Sequence, residues 1–286
     1  MLRASDHFAA YSFVDRIVEL ERGKRARGTF AIPRGIDAFP AAFVAEAVGQ
    51  LAAWVAMDNV DFRGRPVAAL ATETRFRRAV EPGQTLALDV DILDCDDEAV
   101  AYNGRASVDR DEVIELADCL GPMLPVADFD APEALRARLQ LLCGDGAPAG
   151  RFRGVVPMRV DVTHHDPGVS IRGTLDVPRD APFFADHFPR KPVFPATLLL
   201  DAQMSLATTL ACEAPAMRDF APQPLRATHV KMRSFIEPSQ RLELNAELAP
   251  MDDGVVRAML SAKTNDRLVA SARLELAPGP HRKDSR

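Results

Sequence analysis

Two side chains in this sequence have the types and settings that acid–base chemistry needs. His187 stands in Asp186-His187-Phe188-Pro189-Arg190-Lys191-Pro192-Val193-Phe194-Pro195. Imidazole titrates near working pH, so a histidine there suits a general base. Glu46 lies in Phe43-Val44-Ala45-Glu46-Ala47-Val48. An apolar setting raises a carboxyl pKa and keeps a proton ready for donation. Gln50 follows one helical turn on, on the same face. The structural readings stand beside these: a histidine satisfied among aromatics, and a helix acid paired with a nearby base. His164 and His165, ahead of Asp166-Pro167-Gly168, and His229 in a strand, read as structural.

The chain has 286 residues, enough for two units of roughly 140. It is 47% hydrophobic and 27% charged, a composition that can bury a core. Lys+Arg 35 against Asp+Glu 41 gives −6, which disfavours nucleic acid and anionic membranes as partners. Cys95, Cys119, Cys143 and Cys212 form no C-x-x-C pair. That argues against metal or redox chemistry and for reduced thiols in a cytoplasmic protein. Residues 1–13 lack the continuous apolar core of a signal peptide. The apolar stretches 39–57 and 192–211 are interrupted by Glu46 and Asp201, and read as buried helices, not membrane spans.

The chain also repeats itself. Arg27-Gly28-Thr29-Phe30-Ala31-Ile32-Pro33-Arg34 returns as Arg172-Gly173-Thr174-Leu175-Asp176-Val177-Pro178-Arg179, an offset of 145. Phe39-Pro40-Ala41-Ala42, leading to Glu46, returns as Phe194-Pro195-Ala196-Thr197, leading to Asp201, an offset of 155. Glu81-Pro82-Gly83-Gln84 returns as Glu237-Pro238-Ser239-Gln240, an offset of 156. Order is kept, so one domain has been duplicated. The change in offset means ten extra residues in the second copy, within 180–193, and that loop carries His187.

Each copy reads as two strands (13–20 and 26–33; 157–163 and 171–178), the variable loop, and a long apolar helix (40–57; 195–212). Pro40 and Pro195 fall in the first helical turn, and alternating strands follow. Strands in series after one helix favour an antiparallel α+β layer. The expected organisation is an N-terminal repeat over 1–121, a linker over 122–155 with a short helix at 132–142, a C-terminal repeat over 156–278, and a polar tail over 279–286.

The segment 182–203, with His187, Phe188, Pro192, Pro195 and an acid fourteen residues after the histidine, resembles the active-site segment of the β-hydroxyacyl-(acyl-carrier-protein) dehydratases of FabZ and FabA type. The first copy is similar to the same family's helix in Glu46 and Gln50. The resemblance implies a double hotdog: antiparallel sheets, each wrapped round a long central helix and joined into one continuous sheet. It also implies that a histidine of one copy works with an acid of the other. Crossing the copies gives one complete site, His187 with Glu46, and one lacking its histidine, in which Asp201 is vestigial or supports the first.

The implied activity is dehydration of a 3-hydroxyacyl thioester on acyl carrier protein or CoA, with no metal or organic cofactor. Gln50, Phe188, Pro195, Ala196, Ala41 and Arg190 are the implied substrate contacts, and the helix starts at Pro40 and Pro195 are sources of oxyanion donors. Arg190 and Ala196 stand where the family has glycine. Each either narrows the tunnel or, for Arg190, meets the phosphopantetheine phosphate. Arg75, Arg77, Lys231 and Arg233 read equally as a solvated sheet face or a landing patch for an acidic carrier. A non-catalytic acyl-binding subunit and a hotdog thioesterase are the alternatives. The internal pair satisfies the dimer requirement and is compatible with further homo-oligomers.

Overall fold

The computed structural model describes residues 7–250 and 254–281. The first half supplies β1 (Arg16–Glu21), β2 (Arg25–Ala31), α1 (Ala41–Asn59), β3 (Gly64–Pro66), β4 (Leu70–Phe76), β5 (Thr85–Cys95), β6 (Ala99–Val108) and β7 (Asp111–Pro125). After α2 (Pro132–Cys143) come β8 (Asp161–Asp166), β9 (Ser170–Asp176), α3 (Pro182–His187), α4 (Ala196–Ala211) and β10 (Phe220–Met232). Strands β11 (Arg241–Pro250), β12 (Val256–Thr264) and β13 (Arg267–His281) close the second half.

Twelve of these strands form a path β1-β2-β5-β6-β7-β4-β10-β13-β12-β11-β9-β8, and β3 pairs with β7. The order is a mirror about the β4–β10 seam, with each strand as many places from the seam as its repeat counterpart. All the pairings are antiparallel, so this is the expected α+β double hotdog with one continuous sheet. Two long helices lie against it and against each other.

The repeated residues hold equivalent places. Gly28 and Gly173 each lie under the carbonyl of an edge strand: an added Cβ would come 2.7 Å from Arg16 O in one and 3.1 Å from Asp161 O in the other. Both edge pairings slip by one residue nearby. Gln84 and Gln240 both accept from a backbone N–H three residues back, at Glu81 and Glu237. Leu86, Leu88 and Val90 on β5, and Leu242 and Leu244 on β11, are fully buried, as alternation requires.

α1 is apolar nearly all round because the sheet covers it. Its length and composition would suffice to cross a bilayer, but most of it is buried in the core. Pro40 and Pro195 sit one residue earlier than expected, as extended N-cap residues before Ala41 and Ala196. β1 starts at Arg16, not residue 13, because the Phe13 N–H is donated to Gln50 Oε1 and not to a strand. The expected loop 180–193 contains a helical turn, α3, that ends on His187. β13 continues through His281, into the expected tail; residues 282–286 lie outside the described residues.

At the seam Arg226 opposes Arg75 directly, a like-charge pair that costs stability by itself. Glu275, only 6% exposed, offsets it by accepting from Arg226 Nε and Nη2 at 2.9 Å each, and Glu73 accepts from Nη1 at 3.2 Å. Arg226→Met is therefore expected to destabilise the protein by about 1–2 kcal/mol, the partial exposure of Arg226 limiting the loss. Urea unfolding checks this.

Candidate active site

His187 and Glu46 open on the same cavity, of about 510 Å³, between the helices and the seam strands. The histidine reaches it from α3 of the second copy and the glutamate from α1 of the first. Gln50, Phe188 and Ala196 also line it; Ala41, Pro195, Arg190 and Asp201 do not.

The imidazole is fixed from several sides. Its ring stacks on Phe188, centroids 3.8 Å apart, and meets the Tyr11 ring edge-on at 5.3 Å. Arg65 on β3 donates to the His187 carbonyl at 2.9 Å and lies over the Phe188 ring. Burial, and then the Arg65 charge, push the His187 pKa down to about 3; the Val193 backbone partly offsets this. Nδ1 is enclosed with no hydrogen-bond partner among the described residues. The ring is therefore neutral at physiological pH.

Glu46 is half-buried, its carboxylate facing the cavity. Oε1 accepts from Gln50 Nε2 at 2.9 Å and Oε2 accepts from Thr197 Oγ1 at 2.8 Å. Thr197 also shares a short hydrogen bond with the Tyr11 hydroxyl. Burial raises the Glu46 pKa, opposed in turn by the bonds from Gln50 and Thr197 and by the Arg65 charge. Gln50 also donates to Tyr11 O and accepts from Phe13 N–H. It positions Glu46 and the 11–13 segment, and it lines the cavity.

Asp186, beside the histidine, is the joint between the copies. Its buried carboxylate accepts from the N–H groups of Phe8, Ala10 and Tyr11 at 2.7–2.9 Å and from Ser12 Oγ at 2.6 Å. The segment 122–155 joins in as well. Arg138 pairs closely with Asp130, whose carboxylate is 3.9 Å from Arg65. Phe129 packs on Phe188 at 4.7 Å. Asp186→Ala strands four donors and is expected to lower stability by about 2–4 kcal/mol, read as a fall in Tm.

Sequence reasoning missed Tyr11, Arg65, Thr197 and Asp186. Only Thr197 left a signal, as the polar residue where the first copy has Ala42. Asp201, partly buried, has its pKa raised to about 6 by desolvation, and its charge is felt by Tyr11. Arg190 is exposed and donates to Ala127 O at 3.1 Å, away from the cavity. Among the described residues no cluster of three His, Cys, Asp or Glu side chains could hold a metal ion.

Arg75, Arg77, Lys231 and Arg233 do not form one patch. Antiparallel pairing sets Arg75 against Arg226 and Lys231 against Leu70, about 16 Å apart along the seam. Arg75 and Arg77 are paired with Glu73, Glu112 and Glu115. Lys231 and Arg233 instead edge the cavity, exposed.

A mirrored antiparallel sheet round two helices, with a shared cavity between them, is a double hotdog fold. Solved structures share this fold over nearly the whole chain. The tesB protein of Mycobacterium avium subs paratuberculosis matches 92% of this chain and 97% of its own, with TM-score 0.58 and 15% identity. A putative oleoyl thioesterase from Lactobacillus plantarum matches 90% and 97%, with TM-score 0.59 and 11% identity. At such identities the likeness is one of fold.

Sequence comparison is more specific. The FabA-like domain family matches residues 156–273. The 3-hydroxyacyl-[acyl-carrier-protein] dehydratase FabZ of Albidiferax ferrireducens is 32% identical over 118 residues, 39% of this chain and 77% of that protein. FabZ of Thioalkalivibrio sulfidiphilus is 30% identical over 122 residues, covering 41% and 82%. The chain belongs to the FabA/FabZ-like family, in tandem double-hotdog form.

Proposed function

We propose that this protein dehydrates a 3-hydroxyacyl thioester to the trans-2-enoyl thioester at the single site shared by His187 and Glu46. The observation that carries this reading is the opening of both side chains, one from each copy, on the same cavity. Neutral His187 takes the proton from C2. The electron pair forms the C2–C3 double bond as the C3–O bond breaks, and Glu46 gives its proton to the departing hydroxyl, which leaves as water. Charge developing on the thioester oxygen meets N–H groups at the start of α4, near Ala196 and Thr197, which have no carbonyl four residues back to bond. Thr197 and Gln50 hold the Glu46 carboxyl in place, and burial favours its protonated form.

The thioester is carried by acyl carrier protein or CoA. Lys191, Lys231 and Arg233 are exposed and form no ion pair with a carboxylate among the described residues, so they offer positive charge to a phosphopantetheine arm or an acidic carrier. Lys191 also lies 4.8 Å over the Phe235 ring at the cavity edge.

Incubation with a 3-hydroxyacyl pantetheine thioester, following enoyl absorbance and free thiol together, tests the reaction. Enoyl without thiol is expected. Thiol release means a thioesterase, and neither product means an acyl-binding module. The pH profile has a definite sign. His187 stays unprotonated down to about pH 3, so kcat/KM has no acidic limb near pH 6.5. It falls as pH rises through the elevated pKa of Glu46, when the proton donor is lost. An acidic limb with an ordinary histidine midpoint would contradict the site's electrostatics.

A further inference from the structure

The cavity extends beyond the His187–Glu46 pair along α4, where Thr197, Leu200 and Gln203 form one stripe facing it. Where α4 packs on β10 and β13, the facing walls are apolar: Val230, Met232, Ala270 and Ala272. Gln203 is the exception. It is 3% exposed, and its buried Nε2 has no hydrogen-bond partner among the described residues. The first copy has Val48 at the matching offset of 155, so the fold at this position accepts an apolar side chain. A buried donor left unpaired is destabilising, and its retention calls for an explanation. The polar neighbour Ser271 is already engaged, accepting from Arg233 Nη1 at 2.9 Å.

We propose that Gln203 is a specificity residue that donates a hydrogen bond to an oxygen on the acyl chain, so that the preferred substrates are oxygen-substituted acyl thioesters, with a remote hydroxyl or keto group, and not plain alkyl ones. Gln203 lies six positions after Thr197, which touches Glu46; at helical rise this is about 9 Å. In an extended chain that distance corresponds to about eight bonds beyond the reacting carbons. The inference deepens the dehydratase reading and rests on it for the placement of the chain.

Binding separates the two. The probes are saturated acyl-pantetheine amides, which cannot dehydrate, one with a plain chain and one with a keto group about eight bonds along. Calorimetry on the full chain is expected to show the keto amide binding about 10-fold or more tightly. Gln203→Leu and Gln203→Met, near-isosteric replacements, are expected to erase that preference while binding the plain amide at least as well. Equal affinity of the unmodified protein for the two amides would overturn the inference, as would a preference that survives in both variants. A resident water satisfying Gln203 would give the first of these outcomes. Failure of the unmodified protein to dehydrate 3-hydroxyacyl pantetheine thioesters, plain or keto-substituted, with the binding preference intact, would sink the dehydratase reading alone.

Discussion

Replacing His187 with alanine is expected to lower kcat for enoyl formation by about 10²–10⁴-fold, with cooperative unfolding retained. The size of the loss follows from the site's construction. Among the described residues no other histidine lines the cavity, and the Asp186 carboxylate there is committed to four donors of the N-terminal segment. Desolvation raises the pKa values of the Tyr11, Tyr102 and Cys119 side chains, so none of them readily supplies an anion. Folding is expected to survive because Asp186, not His187, ties α3 to the N-terminal segment. Steady-state kinetics with a thermal melt on the same sample checks both halves. A variant that keeps more than about a tenth of the activity would remove His187 from the role of base.

The second large effect is an asymmetry between two acids at corresponding positions of the repeat. Glu46→Gln is expected to cost about 10²–10⁴-fold in kcat, because an amide keeps the volume and has no acidic proton to donate. It should lower kcat and kcat/KM together, as expected for a contact made in the transition state. Asp201→Asn is expected to change kcat by no more than about threefold. Asp201 lies off the cavity, and its raised pKa reflects desolvation with no basic partner. If the two substitutions prove equally damaging, the crossed assignment of one complete site fails.

Much of this architecture was legible in the residues. A period-2 pattern, two apolar helices and the three repeated segments were enough to give a duplicated antiparallel α+β fold, and the mirrored sheet order follows from that duplication. His187 stood out because it lies in the ten residues that only the second copy has, and Glu46 because an acid stands among apolar residues of a helix. The supporting residues did not. Asp186 meets its partners across more than 170 residues of sequence, and Arg65 reaches His187 across 122. Neither contact leaves a periodicity or a spacing to read. Phe188 was expected at the substrate, and its ring does line the cavity, but it also carries the imidazole on one side and the Arg65 guanidinium. Arg190 was expected near substrate because it replaces a family glycine, yet its backbone and side chain both turn to the 127–129 segment. A substitution in sequence does not say which way the new side chain points.

The same geometry explains why one half of the pseudo-symmetric pair is elaborated. The ten additional residues of the second copy bring α3, and with it both the imidazole and the carboxylate that captures residues 8–12 of the first. The one additional loop thus carries an imidazole to the cavity and the anchor that holds the opposite copy's Tyr11 against Thr197 and Glu46.

The proton at C2 offers the most direct test of how the site works. With a 3-hydroxyacyl pantetheine thioester in deuterium oxide, mass spectrometry of the recovered substrate reports exchange at that carbon. Glu46→Gln, with its base intact, is expected to incorporate deuterium at C2 while forming almost no enoyl product, and His187→Ala is expected to do neither. Deuterium entering C2 in His187→Ala as fast as in Glu46→Gln would show that another group removes the proton.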